Sequence, residues 1–232
     1  DRATNITVTG NNISASKGHN GTIDFSGVRL ENISYGLVYD NDIYSSVSAG
    51  SNGWSCSAIS AFSVYVSSSD SIRVEGNTMS SYSDSYYWNC QSRALGFLCS
   101  SSYNCVFKSN EVTVHANDGR SDAIGFNIEN SESIYVSESN FAIRSSGQTQ
   151  GYTHPQAANI TCDDCIISGN IFDSHQSSSF WGGISYSGMR STIDNNTIYE
   201  NESAITINGS DNIVEKNSIT ASSIKGIEVS SS

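Results

Sequence analysis

The chain has 232 residues, of which 15% are charged, and its formal net charge at pH 7 is −12. This length is sufficient to bury a core, but the acidic balance and the lack of a basic patch exclude nucleic acid as a partner. No run of about 18 apolar residues is present, so no membrane span is predicted. The β-branched and aromatic residues, spread along the whole chain, predict strands.

The first residues, "ATNITVTGN", already have the pattern of a strand and contain no signal-peptide pattern. The chain also carries an even number of cysteines and several Asn-x-Ser/Thr sequons, which are features of exported proteins. We therefore expect a mature or excised segment of an extracellular or cell-surface protein. The candidates for glycosylation are Asn5, Asn12, Asn20, Asn32, Asn159, Asn195, Asn201 and Asn208.

One short pattern recurs along the chain, namely an apolar residue, a short polar run, Asn, any residue and another apolar residue. Clear examples are "SIRVEGNTM", "CVFKSNEV", "CIISGNIF" and "STIDNNTI". Intervals that vary between repeats are typical of a solenoid whose coils carry loops of different length. The repeated residues are Asn11, Asn41, Asn77, Asn110, Asn140, Asn170, Asn196 and Asn217. Asn140 fits worst, because Phe141 and Ile143 are its best apolar pair, one residue out of step.

Each repeat holds three short apolar segments with period-two alternation. One precedes the Asn, as Ile72 and Val74 do; one follows it, as Val112 and Val114 do; and a third, such as "AIGFNI", lies further on. Segments of this length predict strands. We therefore predict an all-β fold, a right-handed parallel β-helix of about eight coils with three short strands each, forming one domain over residues 1–232.

The repeated Asn is predicted to lie at a bend between two strands. There it would adopt a left-handed conformation at little cost, and its amide would hydrogen-bond to the equivalent Asn of the next coil. The sequence offers no convincing end caps, and open end coils expose unpaired strand edges. We therefore expect a homo-oligomer, neighbouring subunits or flanking segments to cover the ends.

These repeats resemble the PbH1-type repeats of the pectin-lyase-like superfamily of right-handed β-helices, and the resemblance covers the whole chain. It implies the fold but no single activity, because the superfamily contains polysaccharide lyases, glycoside hydrolases, epimerases, phage tailspikes and adhesins. The motif "CDDC" resembles the Asp-Asp-Cys of polygalacturonase-like hydrolases. Their Gly-His-Gly and Arg-Ile-Lys segments are missing after it, so we interpret its two acidic residues as part of a bend.

Six cysteines are predicted to form disulfides, and they are Cys56, Cys90, Cys99, Cys105, Cys162 and Cys165. The first two precede equivalent strands of neighbouring coils, the middle two flank one bend, and the last two belong to "CDDC". A metal site at this motif needs two further ligands, and none lies close in sequence. A redox site needs the start of a helix. Disulfides are therefore the prediction, with free thiols as the alternative.

The strand after each repeated Asn brings polar side chains to the outer face of the predicted β-helix. If the apolar residues of these strands point inward, Tyr82, His115, Arg144 and His175 form an outward row, with Asp173 beside it. A base near neutral pH and a cation are the groups that a β-eliminating lyase needs, whereas two carboxylates suit hydrolysis. A wet, polar face without catalytic function is the alternative interpretation.

Further binding residues are predicted in the loops, where Tyr and Trp side chains can stack on sugar rings or form a protein interface. These candidates are Trp54, Tyr86, Tyr87, Trp88 and Trp181, with Asp118 and Asp122 in the segment "HANDGRSD". The alternative is that the aromatic residues cover the exposed flank of the β-helix. No cofactor and no metal site are predicted, although calcium is kept as a candidate ligand.

Two functional hypotheses follow from these patterns. In the first, the chain is an extracellular tailspike-like or lyase-like module that binds polysaccharide and also depolymerises it if it is an enzyme, either a polysaccharide lyase or a glycoside hydrolase. In the second, it is a non-catalytic adhesin or a structural subunit of a surface fibre or cell envelope. Binding of glycan is ranked first and catalysis last.

Overall fold

The architecture is described from a computed structural model. It describes residues 3–19, 23–49, 59–85, 91–117, 120–145, 154–176, 182–200, 203–221 and 225–230. These segments form 24 strands and no helix. The described part of the chain therefore holds no helix that is long and apolar enough to cross a membrane.

The strands belong to three parallel sheets, and each coil contributes one strand to each sheet. Sheet 1 consists of β1 (Ala3–Thr9), β4 (Ile33–Tyr39), β7 (Asp70–Glu75), β10 (Val106–Lys108), β13 (Tyr135–Ser137), β16 (Ile166–Ser168), β19 (Thr192–Asp194) and β22 (Ile213–Glu215). Sheet 2 consists of β2 (Asn12–His19), β5 (Asp42–Ala49), β8 (Thr78–Ser85), β11 (Glu111–Asn117), β14 (Asn140–Ser145), β17 (Ile171–Gln176), β20 (Thr197–Glu200) and β23 (Ser218–Ala221).

Sheet 3 consists of β3 (Ile23–Glu31), β6 (Ile59–Ser67), β9 (Gln91–Ser100), β12 (Arg120–Glu132), β15 (His154–Asp163), β18 (Ile184–Ser187), β21 (Ser203–Asn208) and β24 (Lys225–Ser230). Every third strand pairs with its equivalent in the next coil, always in parallel. Three sheets of eight strands are the architecture of a parallel β-helix of about eight coils. The predicted fold class is confirmed.

Aromatic and aliphatic side chains fill the space that the three sheets enclose. Phe97 and Phe126, on neighbouring strands of sheet 3, stack with ring centroids 5.0 Å apart, and Phe107 of sheet 1 stacks on Phe97 at 4.1 Å. Phe141 and Phe172 of sheet 2 continue the stack at 5.0 Å. All five rings are almost completely buried. Because equivalent positions superpose from coil to coil, residues far apart in sequence form one continuous core.

The repeated Asn residues form a buried hydrogen-bonded ladder at the bend between sheets 1 and 2. The amide of Asn41 donates to the side-chain oxygen of Asn77 at 3.0 Å, and the amide of Asn77 donates to that of Asn110 at 3.1 Å. Asn170, Asn196 and their successor in the last coil continue the ladder. The predicted ladder is therefore present and makes this bend the same in successive coils.

Two details of this bend differ from the sequence expectation. The left-handed backbone belongs to the residue before the ladder position, such as Asp40 (φ 53°) or Gly76 (φ 62°), and not to the Asn itself. In the fifth coil the ladder position is occupied by Ser139 instead of Asn140, since the backbone N–H of Asn110 donates to the Ser139 hydroxyl at 3.1 Å. Asn140 follows the ladder position, as the slipped apolar pair implied.

A second set of ladders, which the sequence analysis missed, lies at the bend between sheets 3 and 1. The backbone N–H of Ser69 donates to the hydroxyl of Ser102, and that of Ser102 donates to the hydroxyl of Ser131, both at 3.2 Å. The second ladder of this set lies three residues further along the same bend, where the backbone N–H of Cys165 donates to the hydroxyl of Ser191. Short side chains in two ladders thus satisfy backbone groups that the bend removes from the sheets.

The cysteines follow the disulfide prediction only in part. Cys162 and Cys165 form the expected local disulfide. Cys99 and Cys105, in contrast to the expectation, are two free buried thiols. A hydrogen bond between their side chains, together with burial, raises the pKa of the Cys99 thiol, and the same hydrogen bond lowers the pKa of Cys105. Cys56 and Cys90 lie outside the described residues.

Candidate functional site

Four of the predicted site residues occupy one row across neighbouring strands of sheet 2. The backbone pairing aligns Tyr82 with His115, His115 with Arg144, and Arg144 with His175. We call these four residues the outer row. Successive strands of a parallel sheet lie about 4.8 Å apart, so the outer row spans about 14 Å along the axis of the β-helix.

The outward direction of the row follows from strict alternation along each strand. In β11, Val112, Val114 and Ala116 are completely buried, whereas His115 between them is half-exposed. Tyr82 and Arg144 hold equivalent positions in β8 and β14 and are half-exposed as well. For His175, only the backbone position is described. Packing of the small and apolar neighbours into the core therefore fixes which side chains the outer face presents.

Tyr82 and His115 form an edge-to-face pair. Their ring centroids are 5.2 Å apart and the ring planes are inclined by 87°. Asn117, two residues after His115 on the same strand, donates its amide to the Tyr82 hydroxyl at 3.5 Å. These contacts leave an aromatic ring and polar groups side by side on a half-exposed surface, a combination that suits a ligand with both hydroxyl groups and apolar ring faces.

Arg144 is held by the neighbouring strand. Its guanidinium donates to a carboxylate oxygen of Asp173 and to the Asp173 backbone carbonyl, both at 2.9 Å, and also to the carbonyl of Ile143 at 3.1 Å. Asp173 lies on β17, opposite Ala142, and is about one third exposed. The positive charge of Arg144 is therefore balanced within the site.

We expect the pKa of the His115 imidazole to lie below its ordinary value of 6.5. Partial burial disfavours the charged form, and Arg144 acts in the same direction, whereas the charge of Asp84 opposes both. The folded protein thus binds fewer protons than the unfolded chain, so the contribution to stability is present above the unfolded pKa and is lost as the pH falls through the folded pKa. NMR titration of the imidazole measures this shift.

Two variants test the direction in which each neighbouring charge shifts the His115 pKa. Asp84→Asn is expected to lower the His115 pKa further, and Arg144→Gln is expected to raise it, because each removes one of the two opposing charges. A pKa at or above 6.5 in the unmodified protein, or shifts of the opposite sign in the variants, would contradict this account of the site.

Of the other predicted binding residues, the structure describes only Asp122, and this residue does not belong to the outer row. Asp122 lies at the start of β12 on sheet 3, where it forms an ion pair with Arg93 at 3.6 Å. Outside the described residues are Asp118, Trp54, Tyr86, Tyr87, Trp88 and Trp181. The proposed loop platform of aromatic residues therefore stays a prediction.

The acidic pair of "CDDC" has structural partners. Asp163 accepts a hydrogen bond from the backbone N–H of Met189 at 2.8 Å, and Asp164 binds both donor groups of Arg190 at 2.8 Å. These contacts join the bends of two consecutive coils, as expected for acidic residues at a bend. Among the described residues, no group of three or more His, Cys, Asp or Glu side chains is placed to hold a metal ion. Calcium binding stays an untested prediction.

The glycosylation candidates differ in accessibility. Asn5, Asn12, Asn32 and Asn195 are exposed. Asn159 is half-buried and donates its amide to the side chain of Asn127 at 3.0 Å, which competes with attachment of a glycan. The remaining candidates are Asn208, which is half-buried, and Asn20 and Asn201, which lie outside the described residues.

Sequence reasoning missed two residues that extend the site. Asp84 and Asn117 follow Tyr82 and His115 by two positions and align with each other across β8 and β11. The same period-two alternation that identified the outer row also identifies this second row, so the signal was present in the sequence.

Comparison with known proteins yields little for this chain. No protein family and no curated protein matches it. Among solved structures, it has a weak similarity to PfbA, a surface adhesin of Streptococcus pneumoniae, with a TM-score of 0.25 and 10% sequence identity over 93% of this chain and 84% of that one. The function is therefore inferred from the geometry of the site.

Proposed function

We propose that this chain is an extracellular glycan-binding module and that its outer row binds a neutral polysaccharide without cleaving it. The observation that carries the proposal is the edge-to-face pair of Tyr82 and His115, set beside an arginine whose charge is already balanced by Asp173. Tyrosine offers a face for sugar rings, and His, Asn and Asp side chains offer hydrogen bonds to hydroxyl groups.

The charge balance around the outer row favours a neutral ligand over an anionic one. Arg144 is paired with Asp173, and Asp84 acts electrostatically on His115, so the described part of the site has no excess of positive charge. The chain as a whole carries a formal charge of −12. An anionic polysaccharide needs a complementary positive surface, which is the feature that draws charged ligands to a binding face.

The arrangement of these groups favours binding over catalysis. Asp84 lies on β8 and Asp173 on β17, three strand spacings apart, which corresponds to about 14 Å. The carboxylate pairs of glycosidases are separated by about 5–9.5 Å. A uronate lyase would need Arg144 as a free cation, and this arginine is engaged with Asp173.

Titration with neutral oligosaccharides tests the proposal. We expect xylohexaose or mannohexaose to bind by calorimetry with a Kd in the micromolar to millimolar range. Tyr82→Ala is expected to weaken this binding about two- to tenfold, since stacking on an aromatic ring contributes about 0.5–1.5 kcal/mol. Tyr103→Ala is the control for removal of a tyrosine ring from the surface, because Tyr103 is 47% exposed and lies outside sheet 2.

Three outcomes would overturn it. Equal affinity of Tyr82→Ala and the unmodified protein would exclude the outer row as the binding site. Release of reducing ends or of unsaturated uronides from a polysaccharide would make the chain an enzyme. Absence of binding to neutral and acidic glycans alike would leave the alternative, a structural subunit or an adhesin for another ligand.

A further inference from the structure

A separate groove lies on the outer face of sheet 1, where no functional residue was predicted. Its volume is about 560 Å³, and it runs over β1, β4 and β7. Tyr35 and Tyr39 of β4 lie on either side of Leu37 and are 61% and 48% exposed. A volume of this size is within the range of small-molecule binding sites. We call this feature the tyrosine groove.

Tyr35 occupies a backbone position that does not favour a large side chain. It stands near the start of β4, just after the bend between sheets 3 and 1, and the equivalent residue of every coil has a left-handed conformation. The equivalent residues are Asn5, Ser71, Asn104, Ser133, Asp164, Arg190 and Asp211. Most are Asn, Asp or Ser, and the left-handed region is readily adopted by Asn and Asp.

The tyrosine is therefore kept where a smaller polar residue fits the backbone better. Its φ of 66° is unfavourable for a bulky residue. Arg190, the other long side chain at this position, has a local structural reason, since it binds Asp164 in the adjacent coil. Tyr35 is largely exposed and adds little to the core. A strained, exposed aromatic residue beside a groove indicates a binding role.

The rest of the groove matches a ligand that has no net charge. Arg73 and Glu75 of β7 form an ion pair at 2.6 Å. This pair offers hydrogen-bond donors and acceptors, and its two charges balance each other. The Tyr39 ring lies near Gly76 at the next bend, where a Cβ added to the glycine would be 3.5 Å from the ring. Tyr35 and Tyr39 are four positions apart on one strand, which corresponds to a separation of at most about 13 Å. This separation accommodates a short run of sugar rings.

We propose that the tyrosine groove is a second binding site for neutral glycan, with Tyr35 and Tyr39 stacking on sugar rings and the Arg73–Glu75 pair binding hydroxyl groups. It lies on a different sheet from the outer row and does not depend on the function proposed for that row. Two sites on one rigid β-helix would let a single polysaccharide chain, or two chains, be held with greater overall affinity than one site gives.

The experiment separates the two sites by working in a Tyr82→Ala background. Xylohexaose and mannohexaose are titrated against Tyr82→Ala and against the double variant Tyr82→Ala/Tyr35→Asn, with binding followed by calorimetry and by protein-observed NMR. We expect residual binding in the first, with shifts of the Arg73 and Tyr39 resonances, and a further loss of about two- to tenfold in affinity in the second.

Thermal unfolding shows whether the loss arises from misfolding. Because Asn suits the left-handed position, Tyr35→Asn is expected to raise the unfolding midpoint by about 2–4 °C, and Tyr103→Ala serves as the control for removal of an exposed ring. Residual binding that Tyr35→Asn leaves unchanged would overturn the proposal, as would absence of any residual binding in Tyr82→Ala. Binding that depends on Tyr35 but not on Tyr82 would support the groove and refute the outer row.

Discussion

Replacing Asn77 by Ala is expected to lower the free energy of unfolding by about 3–5 kcal/mol. The Asn77 amide donates to the backbone carbonyls of Val38 and Glu75 at 3.0 Å and to the Asn110 side chain at 3.1 Å. Its oxygen accepts from the backbone and the side chain of Asn41, both at 3.0 Å. Four of these five hydrogen bonds are buried and that to Glu75 is partly buried, so alanine leaves several buried groups unpaired.

Two other substitutions calibrate this effect, and chemical denaturation measures all three. Asn77→Ser is expected to cost less, because Ser139 fills the same ladder position in another coil, accepts from Asn110 and donates to the Ser137 carbonyl at 2.9 Å. Asn11→Ala, at an exposed position of the ladder, is expected to cost about 1 kcal/mol. Equal losses for Asn77→Ala and Asn11→Ala would show that the ladder does not stabilise the coils.

Replacing Phe126 by Ala is expected to destabilise the protein by about 3–5 kcal/mol. Its ring is completely buried, stacks on Phe97 at 5.0 Å and contacts Phe141 at 5.3 Å. The backbone of each coil is held by the coils on both sides, so the cavity cannot collapse freely. Equilibrium unfolding in urea, followed by near-ultraviolet circular dichroism, measures the loss.

Phe126→Leu is the matched control, because it keeps most of the apolar volume, and we expect it to cost about 1–2 kcal/mol. Tyr103→Ala removes an aromatic ring from the surface, and its effect is expected to stay within about 0.5 kcal/mol. A loss below about 1 kcal/mol for Phe126→Ala would mean that the aromatic stack is not a main part of the core.

Much of the fold could be predicted because the β-helix repeats one local rule. Each Asn with its flanking apolar residues marks one bend, and period-two alternation assigns the inward residues on both sides of it. The slipped coil at Asn140 was recognised from Phe141 and Ile143 alone, and the structure buries both. Replacement of the ladder Asn by Ser139 was not predicted, because a serine in a serine-rich chain has no distinguishing pattern.

The positions of the outer row residues were accessible to sequence reasoning, but their interactions were not. Alternation places Arg144 on the outer face, yet only the arrangement of strands shows that its charge is balanced by Asp173 on the next coil. This difference matters for function, since a free arginine favours an anionic substrate and a paired one favours a neutral ligand. Long-range ion pairs depend on register and side-chain direction together, which a single sequence does not define.

The tyrosine groove had no sequence signal that would distinguish it. The segment "ISYGLVY" reads as an ordinary strand, and nothing in it indicates that Tyr35 has a left-handed conformation. That property appears only when the bends of all coils are aligned and the same position is left-handed in each. Backbone strain at Tyr35 is visible only in the structure, and it identifies a residue that neither composition nor the alternation of apolar residues would indicate.

The most direct test of the proposed function is an NMR titration of the protein with xylohexaose and mannohexaose, following the His115 imidazole and the Tyr82 ring. If the outer row binds neutral glycan, one of these oligosaccharides will shift both resonances in a saturable way. Tyr82→Ala will then weaken the affinity reported by the His115 resonance about two- to tenfold. If both resonances stay unchanged while glycan binds elsewhere, or if no glycan binds, the outer row is not a glycan-binding site.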